Sequence, residues 1–586
     1  MNIWILKCGS KGFSSSFMEN SASIIKEIDQ LKHFDAFEKN LGNFHFISFA
    51  TKFQRSQKHY ILESKETLIG YSGLLLGKKT TDVDLRNIKN LDCKTPEKYN
   101  GQFALFEITN KTFSCKTDNL GFHKVFYFKK GKDIYVTNLL KLLELTGEIV
   151  PNPEQIITDF LTSRFGVFPG YNTLFRDVYT LPEYGSLKID KNGLNVASYE
   201  DINSLLIPQK NFEENLSETI IEFKNSAKYL RNFHKTAIGL SGGFDGRLML
   251  SFFYNTEGKL LETYTYNRAG KLDLWIASYL SKQFEIPHKK FKIKNNLDDF
   301  TPSVNEFKDS KQDPFTLILD SCIGDFFQTK DSFKVCLAGN GADIDSEFGE
   351  KHQSKLRFNN FKSFISSYSE MLVSHPLVSS EITKGIGLKL EKYFLSKYSV
   401  FENKEHYVQL LGSAFFHLER FRGEQGYIYS QKVNLNKDVF APFAIESFNK
   451  TVFTATKPQL QRNLKEGIHF RLCDAITEGK FPYAPILTSK NEFGKNLFQK
   501  ALNYIAPYLP KIIWKLNNGD TNQQIRNAYS AIVNKVSKEY IMNQRDSELW
   551  RILDYCKIKE DINNDVYEGQ YNQIATMVKF LENRKK

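Results

Sequence analysis

The chain lacks the long apolar runs that membrane-spanning helices need. No stretch approaches the roughly 18 consecutive apolar residues that are typical of a span. The opening MNIWILKCGS is apolar only in part, because Lys7 interrupts it, and no small-residue cleavage site follows. We therefore expect neither a membrane span nor a secretory signal, and we expect a cytoplasmic protein.

Paired cysteines are lacking as well. The chain has seven cysteines, an odd number, and none of them belongs to a Cys-x-x-Cys motif. Scattered cysteines are typical of proteins from a reducing compartment, and without such a motif a zinc knuckle is not expected. The seven are Cys8, Cys93, Cys115, Cys322, Cys336, Cys473 and Cys556.

No basic arm is present either. The formal net charge is +12, from 79 lysines and arginines against 67 aspartates and glutamates, and the lysines are spread along the chain. Nucleic-acid-binding domains instead combine a basic patch with a recognisable motif that reads RNA or DNA. Because the sequence contains no such motif, we expect no nucleic-acid partner.

The length and the local patterns predict more than one domain. A chain of 586 residues is too long for one ordinary core. Residues 1–205 contain short runs such as FHFISFA and GQFALFEI between turn residues, which is typical of a β-rich domain with some helices. Residues 511–586 are polar and lysine-rich with helical periodicity, and they predict a helical C-terminal extension.

The middle of the chain has a different pattern. Residues 211–510 begin with a predicted helix that Asn211 and Glu214 would cap, and strands and helices then alternate. Among the predicted helices are residues 247–253 and 273–284. Such alternation favours a parallel sheet with helices on its faces.

The stretch AIGLSGGFDGRLML, residues 237–250, joins an apolar strand to a helix through two adjacent glycines. A strand–turn–helix of this kind points backbone N–H groups and the positive end of the helix dipole into one concavity, which suits a phosphate. Gly242 and Gly243 would let the anion approach closely, and the Ser241 hydroxyl could donate a further hydrogen bond. A carboxylate at Asp245 would repel phosphate unless Mg²⁺ lay between them, so the residues predict a magnesium–phosphate site.

Other interpretations of the turn stay open. The spacing excludes a P-loop and a dinucleotide-binding fingerprint. Gly239 to Gly243 does match Gly-x-Ser-x-Gly, the nucleophile elbow of serine hydrolases, which would make Ser241 the nucleophile. That hypothesis needs a later acid and a histidine, for which His406, His417 and His469 are available. We favour the phosphate site, because no oxyanion segment precedes the serine and because a turn without a ligand leaves Asp245 unexplained.

LSGGFDGR resembles the Ser-Gly-Gly-x-Asp-Ser pyrophosphate loop of the asparagine synthetase-like ATP pyrophosphatases, a family that includes β-lactam synthetases and lasso-peptide macrolactam synthetases. Three later segments are similar to this family in the same order. Residues 335–349, VCLAGNGADIDSEFG, resemble its second metal-binding loop. Residues 439–448, VFAPFAIESF, resemble its Arg-Val-Pro-Phe-Leu-Asp segment, with Phe440 in place of the arginine. Residues 481–495, FPYAPILTSKNEFGK, resemble its late lysine segment.

The first region is similar to the amidotransferase domain of the same family. YNGQFALFEI, TDNLGFHKVFYF, YVTNLLKLLEL and TLPEYGSLKI follow one another in the family's order. The resemblance implies an α/β protein: an N-terminal nucleophile hydrolase-like α+β domain of the class II glutamine amidotransferase type, followed by a parallel-sheet PP-loop ATP pyrophosphatase domain. In the family an amino-terminal cysteine releases ammonia from glutamine. Here Asn2 occupies that position and Cys8 lies too far along the chain, so we expect an inactive glutaminase that is kept as a scaffold.

The resemblance implies ATP and Mg²⁺ as cofactors. Asp245 and Asp343 would hold Mg²⁺. Lys490 would stabilise the oxyanion that forms in the family's second reaction step, when an amine attacks the acyl-adenylate. By composition alone, Lys490 is a solvated lysine. Arg247 could reach a phosphate, and an exposed structural arginine is the equal alternative. The residues implied to contact the nucleotide are Leu240, Ser241, Gly242, Gly243, Asp245, Arg247, Tyr266, Gly339, Asn340 and Gly341.

One position departs from the family in a way that concerns the reaction. Between the glycines of the second loop, asparagine synthetases have a glutamate and β-lactam synthetases a tyrosine that belongs to an amine-activating dyad. Here the residue is Asn340, which cannot accept a proton. Asp438, four residues before Pro442, is the candidate for the missing base.

Taken with the resemblance, the residues predict an ATP-dependent, AMP-forming amide ligase that adenylates a substrate carboxylate and joins it to a substrate amine without hydrolysing glutamine. Its substrate would be a peptide, as in a macrolactam synthetase, or a small molecule, with a peptide-processing protein as a partner. Asparagine synthesis from free ammonia is the alternative within the family. Hydrolysis at Ser241 and non-catalytic binding are the alternatives outside it.

Overall fold

A computed structural model describes most of the chain, and the structural statements below concern those residues. Among the helices that it describes, none combines the length and the hydropathy that a bilayer span requires. The described residues are 2–29, 34–51, 61–78, 92–163, 165, 167–241, 243–266, 271–291, 335–337, 339, 358–404, 407–431, 438–460, 465–479, 535, 537–551, 553–563 and 571–582.

Two six-stranded antiparallel sheets form the first part of the structure. The first sheet has the strand order β10-β8-β9-β1-β3-β2 and the second the order β12-β11-β7-β6-β5-β4. The prediction of a β-rich first region is confirmed. The strands are β1 (Asn2–Cys8), β2 (Phe34–Leu41), β3 (Phe44–Thr51), β4 (Ile61–Glu63), β5 (Thr67–Gly77), β6 (Tyr99–Thr109), β7 (Phe113–Thr117), β8 (Phe126–Lys130), β9 (Asp133–Thr137), β10 (Val178–Thr180), β11 (Gly185–Asp190) and β12 (Gly193–Ser198).

The alternation of side chains along β1 explains why this region has two cores. Successive side chains of a strand point to opposite faces of the sheet. Trp4 and Leu6 belong to the core between the two sheets, where the Trp4 and Phe106 rings lie 5.0 Å apart. Ile3 and Ile5 point the other way, into a larger core that the first sheet shares with helices. β1 is therefore buried on both faces of the first sheet.

Helices cover the outer face of the first sheet and flank the later strands. Two helices near the C-terminus, Tyr555–Asn563 and Tyr571–Glu582, belong to the larger core, since the Phe580 ring lies 5.5 Å from that of Phe175. The α-helices are α1 (Ser15–Asp29), α2 (Leu140–Glu144), α3 (Pro153–Ser163), α4 (Asn203–Leu206), α5 (Phe212–Phe233), α6 (Phe244–Ser251), α7 (Lys271–Gln283), α8 (Phe361–Val373), α9 (Ser380–Tyr398), α10 (Tyr407–Ala414), α11 (Gly426–Gln431), α12 (Glu446–Thr454), α13 (Ile468–Thr477), α14 (Tyr555–Asn563) and α15 (Tyr571–Glu582).

Five short parallel strands form a third sheet with the order β15-β14-β13-β16-β17. The prediction of a parallel sheet is confirmed for these strands. The capping box of α5 is confirmed too, because Asn211 Oδ1 accepts from Glu214 N at 3.1 Å and Glu214 Oε2 accepts from Asn211 N at 2.9 Å. The strands are β13 (Thr236–Gly239), β14 (Leu261–Tyr266), β15 (His288–Phe291), β16 (Val335–Leu337) and β17 (Asp438–Phe440).

Buried polar contacts join the antiparallel region to the parallel sheet. The Gln102 side chain on β6 is 1% exposed, donates to the Ala441 carbonyl at 3.0 Å and accepts from the Ala441 N–H at 2.8 Å. Lys78 Nζ lies 3.0 Å from Glu446 and 3.9 Å from Glu222. These contacts hold the segment after β17 against β5 and β6.

A second set of buried charges, the Glu183 cluster, consists of Glu183, Lys397, Glu419 and Arg422. Glu183 lies 2.9 Å from Lys397 Nζ and 3.1 Å from Arg422 Nε, and Lys397 also lies 2.9 Å from Glu419. Glu419 and Arg422 belong to a π-helix (Phe415–Gln425), a rare conformation. Two carboxylates balance two cations, as burial of charge requires.

Acid is expected to weaken both sets of contacts. Burial alone would raise the pKa of Glu183, but the charges of Lys397 and Arg422 outweigh it and lower the pKa to about 2. Lys78 and Lys450 outweigh burial in the same way and lower the pKa of Glu446 to about 2.

The sign of the pH effect follows from these values. Since both folded pKa values lie below the ordinary value of 4.5, each carboxylate stabilises the fold fully above about pH 4.5 and loses its contribution as the pH falls towards 2. We expect the free energy of unfolding, measured with urea at a series of pH values, to fall across this window by an amount on the order of 3 kcal/mol for each carboxylate. A flat profile there would contradict the assignment.

Candidate functional site

The glycine turn lies at the carboxyl end of β13, the central strand of the parallel sheet. β13 ends at Gly239 and α6 begins at Phe244. The Leu240 N–H donates to the Tyr264 carbonyl at 2.8 Å, and the Thr265 hydroxyl donates to the Leu240 carbonyl. Open sheets of this kind bind ligands at the carboxyl ends of their strands. The turn is thus held where a ligand site is expected.

The first turn of α6 packs closely on the strand end. A Cβ added at Gly246 would lie 3.4 Å from both the Gly239 carbonyl oxygen and the Ser241 nitrogen. The helix begins at Phe244, three residues earlier than predicted, so Asp245 lies in its first turn. There the helix dipole places partial positive charge beside the carboxylate.

Gly339, the described residue of the second glycine segment, lies beside this first turn. β16 pairs with β13 in parallel, and Gly339 follows the end of β16. A Cβ added at Gly339 would lie 2.9 Å from Met249 Cε and 3.8 Å from Asp245 Cβ. The structure therefore brings together Asp245 and Gly339, and the second predicted magnesium aspartate, Asp343, lies outside the described residues.

A histidine that no motif identified lies next to Asp245. His469 of α13 is fully buried, and its Nε2 lies 3.6 Å from Asp245 Oδ1, while the Asp245 side chain is 29% exposed. His469 also lies beside Phe443, with ring centroids 6.1 Å apart. In the sequence it was one of three histidines considered for a hydrolase, and the segment IHFRL gave no other signal.

Arg247 is not an exposed arginine. Its side chain is fully buried, on the face of α6 that packs against α13. Burial raises the pKa of Cys473, on α13, to about 12, and the Arg247 charge acts against that increase, which places the guanidinium near this thiol. Arg247 therefore lies in the interior, between α6 and α13.

Asp438 is not brought to the glycine turn. In the parallel register Asp438 pairs with Val335, and Val335 pairs with Thr236, so Asp438 is level with the amino end of β13. Ser241 lies five residues further on, which in an extended strand corresponds to roughly 16 Å. Burial raises the pKa of Tyr71 on β5, and the Asp438 charge contributes to that increase, so the carboxylate lies near β5. The hypothesis of Asp438 as the base is not supported by this position.

Several predicted site residues lie outside the described part of the chain. They are Gly242, Asn340, Gly341, Asp343 and Lys490. Tyr266 is described as the last residue of β14, opposite Phe291 of β15, and its side chain is not described. Within the described residues no group of three histidine, cysteine, aspartate or glutamate side chains forms a metal site. Asp245 has the oxygen ligands and partial exposure that Mg²⁺ requires, but a complete ligand set needs further residues.

The geometry of Ser241 does not favour a hydrolase. Its Oγ accepts a hydrogen bond from the Gly243 N–H at 3.1 Å and has no hydrogen bond to a histidine in the described part of the chain. Its φ is not in the left-handed region. His417 is fully buried with Phe421 and Phe448 around it, and burial lowers its pKa to about 3. His406 lies outside the described residues.

The cysteines of the antiparallel region are poor nucleophiles. Burial raises the pKa of the Cys8 thiol, and it raises that of Cys93 to about 12. Burial also raises the pKa of Cys115, which lies in the core between the two sheets. Since the thiolate is the reactive form, all three remain protonated at neutral pH.

Comparison with known proteins does not identify a family. No family model matches the chain, and no curated protein matches its sequence. The chain is similar to the glutamine phosphoribosylpyrophosphate amidotransferase from B. subtilis in complex with ADP and GMP, at 6% identity and a TM-score of 0.23, over 59% of this chain and 77% of that one. It is also similar to an allosteric regulatory enzyme of purine biosynthesis, at 7% identity and a TM-score of 0.21, over 41% of this chain and 60% of that one. Scores of this size do not establish a shared fold.

Proposed function

We propose that the protein is a magnesium- and ATP-dependent, AMP-forming amide ligase that activates a substrate carboxylate as its adenylate and joins it to a substrate amine. One observation carries the proposal: Gly339 lies against Asp245 at the carboxyl edge of the parallel sheet. Both segments have an aspartate nearby in sequence, Asp245 and Asp343, and ligands of such sheets bind at this edge. A glycine turn without a ligand has no need for this convergence.

The residues of the chain suit a pyrophosphate leaving group. The backbone N–H groups of the turn and the first turn of α6 would hold its oxygens, with the Ser241 hydroxyl beside them. Mg²⁺, when bound, neutralises charge on that group. Asp245 and Asp343 would be its ligands, and Lys490 would stabilise the oxyanion formed when the amine attacks.

The amine would come from the substrate rather than from glutamine. The three cysteines of the antiparallel region are held as thiols, so this region has no thiolate to attack glutamine. Asn340 cannot act as a base and Asp438 is turned towards β5, so the amine would arrive neutral or lose its proton to the substrate. A peptide that is closed to a macrolactam is the first candidate substrate, and aspartate with free ammonia is the second.

The test is carboxylate-dependent exchange of pyrophosphate into ATP. The purified chain would be incubated with Mg²⁺, ATP and labelled pyrophosphate, first with linear peptides that carry a side-chain carboxylate and then with aspartate. Exchange with peptides alone supports the macrolactam synthetase, and exchange with aspartate supports asparagine synthesis. Release of ADP in place of AMP, or failure of the wild-type chain to bind Mg-ATP in calorimetry, would refute the proposal.

The effect of replacing Ser241 distinguishes the ligase hypothesis from the hydrolase hypothesis. In the ligase Ser241→Ala removes one hydrogen bond to phosphate, and we expect pyrophosphate exchange to fall by about tenfold. In a hydrolase the same change removes the nucleophile, and esterase activity would fall by roughly 10⁴ or more. Both activities would be measured on wild type and on Ser241→Ala. Esterase activity that depends on Ser241 would favour the hydrolase.

A further inference from the structure

A second cavity, away from the glycine turn, lies where the antiparallel sheets meet the beginning of α12. It has a volume of about 360 Å³. Its lining comes from Lys78 after β5, from β6 and the segment before it, from Lys116 of β7, from the segments around Tyr184 and Tyr199, and from Glu446 of α12. None of the predicted nucleotide contacts belongs to its lining. The volume is at the lower end of the range for small-ligand pockets.

Aromatic side chains line the interior of the cavity together with the polar side chains of Lys78, Asn100 and Glu446. Tyr99, Phe103 and Tyr184 line it and are at most 5% exposed. The Tyr184 hydroxyl donates to Glu446 at 3.1 Å, and Glu446 in turn pairs with Lys78 at 3.0 Å. The charges of the interior are therefore already matched.

Tyr184 is held in a strained conformation at this place. Its φ is 51°, in the left-handed region that bulky side chains rarely adopt. Strain of this kind persists only where the surroundings enforce it, and it is concentrated at ligand sites. The hydrogen bond to Glu446 and the aromatic neighbours enforce it here.

The mouth of the cavity carries charges of both signs that have no ion partner among the described residues. Lys94, Lys116, Glu97 and Glu200 line it, and none of the four forms an ion pair within the described part of the chain. Lys116 Nζ is fixed by a 2.6 Å hydrogen bond to the Lys94 carbonyl and lies 5.7 Å from the centre of the Tyr199 ring.

The two carboxylates lie near the same tyrosine. Burial raises the pKa of Tyr199, and the charges of Glu97 and Glu200 add to the increase. Cations and carboxylates thus flank one aromatic ring at the entrance. A simple anion would be repelled by the glutamates and a simple cation by the lysines, whereas a small molecule with both charges satisfies both.

We propose that this cavity binds a free α-amino acid with an apolar side chain. Its carboxylate would lie at Lys116 and Lys94, its ammonium group at Glu200 and Glu97, and its side chain against the aromatic interior. Charge-assisted hydrogen bonds would fix the two charged groups, and the aromatic rings would select the side chain. The site does not depend on the proposed ligase function, since it shares no residue with the glycine turn.

The first test is calorimetric titration of the full chain, without ATP, with each apolar free amino acid, including L-phenylalanine. Binding is expected for at least one of them. Its N-acetyl derivative, which lacks the ammonium group, and its amide, which lacks the carboxylate, should each bind roughly tenfold more weakly. No binding at millimolar concentration would overturn the proposal, and so would equal binding of succinate, which has no ammonium group.

Matched variants test which side chain binds the carboxylate of the amino acid and which binds its ammonium group. Lys116→Met should weaken binding of the free amino acid roughly tenfold. It should leave the affinity for the amide unchanged, because the amide has no carboxylate that could bind Lys116. Glu200→Gln should weaken binding of the free amino acid to the same extent. It should leave the affinity for the N-acetyl derivative unchanged, because that derivative has no ammonium group. Lys129→Met, an exposed change on β8, serves as the control and should alter neither. If both site variants bind like the control, the cavity is not the binding site.

Discussion

Replacing Asp245 with asparagine is expected to weaken Mg-ATP binding by roughly two orders of magnitude or more, because the change removes a charged oxygen ligand from a doubly charged ion. The fold should tolerate the change. The Asp245 side chain is 29% exposed, and asparagine is nearly isosteric. Calorimetric titration with Mg-ATP measures the loss, and thermal unfolding shows whether the variant is intact.

A variant on the same part of the chain controls for charge. Glu257→Gln, in the exposed segment after α6, removes one negative charge without touching the turn and should leave Mg-ATP affinity unchanged. Asp343→Asn should reproduce the loss seen for Asp245→Asn. If wild type binds Mg-ATP and Asp245→Asn binds it equally well, Asp245 is not a magnesium ligand and the proposed site is wrong.

Replacing Glu183 with glutamine is expected to destabilise the protein by about 3–5 kcal/mol, the usual effect of breaking a buried ion pair on one side. The change leaves Lys397 and Arg422, which are 7% and 1% exposed, with one carboxylate where they had two. Glu183 belongs to the antiparallel region and the two cations to the helical layer, so the two should also separate more easily. Urea unfolding at neutral pH measures the free energy, and limited proteolysis reports the separation.

An exposed ion pair on the same helix as Lys397, α9, provides the matched control. Glu154 of α3 pairs with Lys389 of α9, and both side chains are more than half exposed. Exposed pairs contribute at most about 1 kcal/mol, so Glu154→Gln should have a small effect. If Glu183→Gln destabilises the protein no more than Glu154→Gln does, the buried cluster does not hold the two regions together.

Local patterns in the sequence predicted the local structure well. The capping box at Asn211, the β-rich first region and the parallel strand before the glycine turn are all present, because each depends on residues that are neighbours in the chain. The beginning of α6 was predicted three residues too late. Helix ends are set by capping and by packing on the strand before them, and here Gly246 allows the first turn to lie against Gly239.

Only the tertiary structure decided which of the candidate site residues meet. Sequence order gave no means to tell that Gly339 lies beside Asp245, that Arg247 is buried against α13, or that Asp438 is level with the amino end of β13. Strand order and register set these positions, and both come from contacts between residues far apart in the chain. The sequence by itself determined that a strand, a glycine turn, an aspartate and a helix follow one another. The fold determined that Gly339 and His469 lie beside that aspartate, because packing brings distant segments together.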